Sequence, residues 1–316
     1  MLQNTVTTAE RVYTMNKHVI AVVGPTAIGK TALSISLANA LNTEIFSADS
    51  RQFFKEMKIG TAVPDAHELT AAKHHFIQSI SIKDTYNVGK FESECIKKLD
   101  EFFLNNDRAI LVGGSGLYVD AVLNGLDHFP DVDPEVRTEL INTLEKSGIE
   151  VLQKELLKCD PDHYQTIDLS NRQRLIRALE ICRGTNKPYS SFLAKNTIQR
   201  NFTSIKIGLT ADREIIYNRI NNRVDKMIEM GLIEEANALY KYKSLNALQT
   251  VGYRELFNYF DGNCDLKTAI EEIKKNTRRF AKRQLTWYRK DRNVLWFDYQ
   301  TAHEEICDVI KNKTPL

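Results

Sequence analysis

Residues 24–31 read Gly24, Pro25, Thr26, Ala27, Ile28, Gly29, Lys30 and Thr31, which fits the pattern G-x-x-x-x-G-K-[ST]. The chemistry of that spacing is polyphosphate binding. Glycines let the backbone curl so that successive N–H groups and a helix N-terminus face a phosphate, the lysine adds a point charge, and the hydroxyl can hold Mg²⁺. Thr31 is therefore the candidate metal ligand and Lys30 the candidate cation. ATP, GTP and a prenyl diphosphate present the same oxygens, so the pattern alone does not choose among them. A carboxylate, Asp49, follows the apolar run TEIFSA of residues 43–48. In a parallel sheet the carboxyl ends of strands form the ligand crevice, which brings such an acid to the phosphate loop. There it can hold Mg²⁺, orient a hydroxyl or act as a general base. The competing reading is helix capping, since Asp-Ser before a turn is a common N-cap. From this residue alone the two are even. The run RAILVGG at residues 108–114 ends in glycines where a hydrolytic ATPase usually carries an acid, which disfavours a motor.

The loop needs a strand before it and a helix after it, and both are legible. HVIAVVG at residues 18–24 reads as a buried parallel strand and residues 31–41 as the following helix. Further strands are predicted at residues 43–48, 75–80 and 109–112, with an amphipathic helix over 91–104. This alternation implies an α/β fold, a doubly wound parallel sheet of the P-loop NTPase-like kind. After residue 124 the strand signal gives way to helical segments punctuated by Asp133-Pro134, Asp160-Pro161 and Lys187-Pro188. Strand character returns at residues 204–209, followed by helices over 214–242, 255–260 and 266–288 and a last strand at 294–297. The expected division is an N-terminal extension over 1–16, read as disordered, a first core part over 17–125, an all-helical insertion over 126–202, and a second core part over 203–316.

A chain of 316 residues exceeds what one core comfortably fills, consistent with a core plus an insertion. No apolar run approaches the ~18 residues needed to span a bilayer. The first sixteen residues lack the apolar stretch of a secretory signal, so a soluble, cytoplasmic protein is expected, with no membrane partner. Five cysteines without a C-x-x-C pair indicate neither a zinc site nor a disulfide framework. His74 and His75 enter a strand and point to opposite faces, which favours a structural or stacking role. The net charge of +2 hides an uneven distribution: between Lys274 and Arg292 there are nine Lys or Arg and one acid, Asp291. Helical spacing there puts Ile270, Ile273, Thr277, Phe280 and Trp287 on one face and Lys275, Arg278 and Lys282 on the other. That basic face can meet nucleic-acid phosphates.

With GPTAIGKT, SADSRQ, VGGSGLY, NRQRLIRALE, VGYRE and AKRQLTWYR in this order, the chain resembles the tRNA dimethylallyltransferases from about residue 18 to its end. The resemblance implies transfer of a prenyl group from dimethylallyl pyrophosphate to N6 of the adenosine immediately 3′ of the anticodon, with Mg²⁺ and without nucleotide hydrolysis. The phosphate loop is then reused for a diphosphate. By the same resemblance Asp49 is the general base, and Ser50, Arg51 and Gln52 cradle the target base. Ser115, where many relatives have threonine, supplies a hydroxyl at that base. Arg223 contacts the pyrophosphate, whereas Arg219, one turn earlier, reads as an ordinary solvated helix arginine. Arg137, Gln173, Arg174 and Arg177 are implied tRNA contacts on the insertion, joined by Arg278, Lys282 and Arg283 on the basic C-terminal helix. Val63 departs from the family's usual T-A-K-P. The expected partners are the anticodon stem-loop of tRNA and dimethylallyl pyrophosphate, acting on a monomer. An adenylate prenyltransferase acting on free nucleotides, an ATP-dependent P-loop kinase and a non-catalytic RNA-binding protein remain competing readings at this point.

Overall fold

The computed structural model describes residues 17–193 and 198–315, so the expected N-terminal extension over 1–16 lies outside the described residues. The chain divides into a unit built from Met1–Asn124 with Gln199–Leu316 and a second unit, Gly125–Ile198.

In the first unit β1 (His18–Val23) leads through the phosphate loop into α1 (Lys30–Leu41). Then come β2 (Ile45–Ser47), α2 (Ala66–Ala71), β3 (His74–His75), α3 (Val88–Phe102), β4 (Arg108–Val112) and α4 (Gly116–Asn124). The second unit holds α5 (Pro134–Ser147), α6 (Ile149–Cys159), α7 (Pro161–Thr166) and α8 (Arg172–Thr185) around a core that includes Leu140, Leu152, Leu156, Leu175 and Leu179. Its buried Asp160 caps α7 through the His163 N–H (3.0 Å) and also accepts from Ser190 N–H (2.7 Å) and Oγ (2.8 Å). The chain returns through β5 (Thr203–Thr210), α9 (Arg213–Glu229), α10 (Leu232–Leu239), α11 (Tyr253–Phe260), α12 (Leu266–Tyr288), β6 (Val294–Asp298) and α13 (His303–Lys313).

The six strands form one sheet in the order β3-β2-β4-β1-β5-β6, with every pairing parallel. Both faces are covered, which is why β1 reads as an unbroken apolar run. Side chains alternate across the sheet with a period of two. Val19, Ala21 and Val23 join Phe46, Phe91 and Leu111 on one face, while Ile20 and Val22 join Leu33, Leu37 and Ile207 on the other. Gly24 ends β1 at φ +136°, and a Cβ there would sit 2.5 Å from the Leu209 carbonyl oxygen. Gly24→Ala therefore meets both a backbone strain and a backbone clash. It is expected to cost about 1–3 kcal/mol or more of stability, read as a lower denaturant midpoint at unchanged slope.

Several expectations change. The strand expected over 75–80 shrinks to His74–His75, because Phe76 (φ +62°) and Gln78 (φ +46°) turn the chain out of the sheet. Ile80 keeps only an isolated parallel bridge to Phe54. The helix expected over 214–242 breaks at Gly231 (φ +98°) into α9 and α10. The core resumes at Gln199 rather than 203. Arg200 Nη2 donates to the Ala121 carbonyl at 2.6 Å and pairs with Glu92 at 2.5 Å, and Phe202 packs against Phe103. α12 has the expected bounds but a rotated face: it buries Ala269, Ile273, Ala281, Gln284 and Tyr288, leaving Phe280 and Trp287 38% and 39% exposed. Among the described residues no helix is long and apolar enough to cross a membrane.

Candidate active site

The phosphate loop is held from three sides. Gly29, at φ +116°, turns the chain into α1 and puts Lys30 at its first position. Lys30 Nζ donates to the carbonyls of Gly24 (3.1 Å) and Pro25 (2.8 Å). Desolvation pushes its pKa down from 10.5 to about 8; the nearby Asp49 carboxylate opposes that shift and the Arg223 guanidinium adds to it. Arg223, on α9, donates from Nη1 to Thr26 Oγ1 at 3.2 Å. Its own pKa is lowered by desolvation, with Asp49 and then Glu68 acting against the shift. Arg219, expected to be simply solvated, donates from Nε to the Ala27 carbonyl at 2.8 Å and lies 5.2 Å from the Tyr299 ring centroid. It is exposed, yet it touches the loop, because residues four apart share a helix face.

Asp49 follows β2 and accepts from the Arg51 N–H at 3.0 Å. No helix begins there among the described residues, so the N-cap reading falls. Ser50 Oγ lies 3.1 Å from Ser115 Oγ, which also receives the Ser50 N–H at 3.4 Å. Arg51 spends its Nη1 on the carbonyls of Asn246 and Ala247, both at 3.0 Å. Gln52 Nε2 donates to the carbonyls of Thr61 (3.2 Å) and Ala62 (2.9 Å).

Two cavities open from this centre. One, of ≈ 790 Å³, is lined by the loop from Thr26 to Thr31 together with Ser47, Asp49, Arg219, Arg223 and Lys226. The other, of ≈ 380 Å³, is lined by Asp49, Ser50, Arg51, Ser115, Tyr118, Phe280, Arg283 and Trp287. They share Thr26, Asp49, Thr61, Arg223 and Met227. A phosphate cradle and a more apolar, aromatic-walled chamber thus meet at one carboxylate and one guanidinium. Thr31 and Asp49 line the same cavity, and a hydroxyl with a carboxylate is the hard oxygen pair that Mg²⁺ accepts alongside substrate phosphates. Among the described residues no group of three or more His, Cys, Asp or Glu is placed to hold a metal alone.

The sequence model of the IPP transferase family matches residues 52–291. The chain belongs to the IPP transferase family. A relative named tRNA dimethylallyltransferase in Christiangramia forsetii is 61% identical over 299 residues, 95% of this chain and 99% of that protein. One of the same name in Flavobacterium johnsoniae is 60% identical over 300 residues, 93% of this chain and 97% of that protein. The crystal structure of the tRNA isopentenylpyrophosphate transferase from Bacillus halodurans superposes with a TM-score of 0.71 at 38% identity, covering 95% of this chain and 97% of that one. A eukaryotic dimethylallyltransferase whose structure was determined acting on tRNA gives a TM-score of 0.78 at 27% identity, over 94% of this chain and 80% of that one.

The remaining expected residues of this IPP transferase spread over both units. Arg137 and Arg177 pair with Glu180 at 2.9 and 3.2 Å inside the helical unit, where Gln173 and Arg174 are exposed on the first turn of α8. Arg278 donates to Asn221 Oδ1 on α9 at 2.7 Å, whereas Lys282 and Arg283 are exposed on α12. The basic stretch is less naked than its own residues suggest, since Lys274 pairs with Asp225 (2.7 Å) and Lys275 with Glu272 (2.6 Å). His74 binds the Ala72 carbonyl through Nδ1 (2.8 Å) and His75 pairs with Glu44 (2.5 Å).

Two residues with no signal in the loop motifs support the site. Glu235 accepts from the N–H groups of Lys58 (3.0 Å), Ile59 (2.8 Å) and Gly60 (2.9 Å) and from Tyr253 Oη (2.6 Å). That carboxylate fixes the segment carrying Thr61 into both cavities. The second is Gln284, bonded to the phosphate loop and to the turn after β4.

Proposed function

We propose that this protein transfers a dimethylallyl group from dimethylallyl pyrophosphate to N6 of the adenosine 3′-adjacent to the anticodon in tRNA, releasing pyrophosphate, as a cytoplasmic monomer. The observation that carries the reading is the meeting of the two cavities at Asp49 and Arg223. The diphosphate is assigned to the larger cavity, against Lys30, Thr31, Arg223 and the loop N–H groups. The everted adenine is assigned to the smaller one, between Ser50, Ser115 and the aromatic wall.

Adenine's exocyclic amine is a weak nucleophile because its lone pair is delocalised into the ring. As the N6–C1 bond forms and the C1–O bond breaks, the leaving electron pair goes to the diphosphate and an N6 proton passes to the Asp49 carboxylate. Lys30, Arg223 and the backbone donors neutralise the charge that grows on the leaving oxygens. Mg²⁺ held by Thr31 and the diphosphate would add positive charge beside that leaving group. Burying five prenyl carbons contributes about 4 kcal/mol, at ~0.8 per carbon, and favours a prenyl ester over bare pyrophosphate. Everting the base costs a few kcal/mol, which phosphate contacts from exposed basic residues such as Lys282 and Arg283 offset.

A hydrolytic P-loop ATPase is disfavoured because Val112 of β4 is followed by Gly113 and Gly114 rather than an acid. Incubation with labelled dimethylallyl pyrophosphate, Mg²⁺ and unmodified tRNA should give prenylated adenosine on nucleoside analysis, with AMP and ATP left unmodified. Label found on the free nucleotides, or none on RNA, would overturn the assignment.

A further inference from the structure

We infer that Gln284 is a positioning residue that locks the donor half of the site to the acceptor half; this rests on the transfer reading above. Gln284 lies on α12 and is only 6% exposed. Its amide meets two backbone groups. Oε1 accepts the Thr26 N–H at 2.9 Å, and Nε2 donates to the Gly114 carbonyl at 3.0 Å. A backbone N–H can only donate and a carbonyl can only accept, so a single orientation of the amide satisfies both.

The two partners belong to different halves of the chemistry. Thr26 is in the phosphate loop, where Arg223 also grips its hydroxyl. Gly114 precedes Ser115, whose hydroxyl holds Ser50, the neighbour of Asp49. One amide therefore sets the spacing between the loop that cradles the diphosphate and the turn that carries the acceptor-side hydroxyls. The fit is close: a Cβ on Gly114 would stand 2.1 Å from Gln284 Nε2. The Thr26 N–H is directed at Gln284, so this contact supplies geometry to the loop rather than charge to a phosphate. Transfer between two substrates held by separate loops is sensitive to that geometry, since a 1 Å misplacement can cost about 10²-fold in rate.

Gln284→Met keeps the length of the side chain and removes both bonds; Gln284→Glu keeps the acceptor for Thr26 and loses the donor to Gly114. Single-turnover prenyl transfer is to be measured beside equilibrium binding of a non-reactive thiodiphosphate analogue of the donor and of an anticodon stem-loop RNA. The Met variant should transfer about 30–100-fold more slowly, with both affinities within about threefold of wild type. The Glu variant should also be slow, and it answers the question if the Met variant does not fold. Gly114→Ala should reproduce the loss and add little in a Gln284→Ala background, because the shortened side chain removes the clash. A folded variant whose rate stays within about threefold of wild type, or whose loss is wholly accounted for by weaker binding, overturns the inference. An inactive wild-type protein would instead sink the transfer reading itself, and this inference with it.

Discussion

Asp49→Asn is expected to slow single-turnover transfer to tRNA by about 10²–10⁴-fold while leaving tRNA affinity nearly intact. The substitution is close to isosteric, and an amide oxygen can still accept the Arg51 N–H that Asp49 accepts at 3.0 Å. The turn after β2 therefore survives, and what disappears is the capacity to take a proton. Asp49 has a second effect through its charge, since it is what opposes the downward pKa shift of Lys30. Removing that charge lowers the Lys30 pKa further and narrows the pH range over which the loop carries its cation. Rates and RNA binding measured side by side decide the matter. Equal loss of both would make Asp49 a binding residue, and no loss of rate would remove it from the chemistry.

Lys30→Met is the second large expectation, at about 10²–10³-fold in transfer rate, because it removes a fixed positive charge from the place where leaving-group charge develops. The pH dependence carries a sign that can be checked. In the folded protein Lys30 titrates at about 8, below its ordinary 10.5. Between those values the unfolded chain holds the proton and the folded one does not, so the Lys30 contribution to unliganded stability rises with pH across that window. Diphosphate binding works the other way. An anion stabilises the charged lysine, so donor affinity should be flat below about pH 8 and fall by up to tenfold per pH unit above it. The Met variant should bind weakly with no such break. A wild-type affinity that stays level from pH 7 to 10 would contradict the lowered Lys30 pKa, and a Met variant that binds the donor as tightly as wild type would show that Lys30 does not hold the diphosphate.

Much of this site is written in short local patterns. The phosphate loop declares itself because glycines and a lysine at fixed spacing leave few other uses for that backbone, and β1 because burial on both faces demands an apolar run. The extent of α12 was equally legible from its long amphipathic pattern, and the structure adds the cap at its start, where Asp265 accepts the Thr268 N–H at 2.7 Å. What the pattern misplaced was its face. A 3.5-residue spacing put Phe280 and Trp287 inward, whereas the helix buries Ala281, Gln284 and Tyr288 and leaves the two aromatics to wall a cavity. The shortening of β3 had no sequence signal, because Phe76 and Gln78 adopt positive φ without being glycine or asparagine. The count of basic residues over 274–292 also missed their nearest acids. Glu272 lies just before that window, and Asp225 comes from α9.

Residues that act across the fold were the least visible. Arg219 shares a helix face with Arg223, but only the packing of α9 against the loop shows that it reaches the Ala27 carbonyl. Gln284 lies 258 positions from its partner Thr26, a separation at which no periodicity or spacing argument operates. Glu235 likewise gathers three consecutive backbone donors far away in sequence. Motif reading finds candidate groups for the chemistry; the contacts that hold them at their separation, including those of Gln284 within the AKRQLTWYR run, emerge only from the tertiary structure.

The most direct test of the central claim is a crystal structure of the protein with a non-reactive thiodiphosphate donor analogue, Mg²⁺ and an anticodon stem-loop. The account predicts the diphosphate against Lys30, Thr31 and Arg223, and the everted adenine in the smaller cavity with N6 about 2.6–3.2 Å from an Asp49 carboxylate oxygen. An adenine whose N6 faces away from Asp49, or a diphosphate lodged outside the glycine loop, would contradict it.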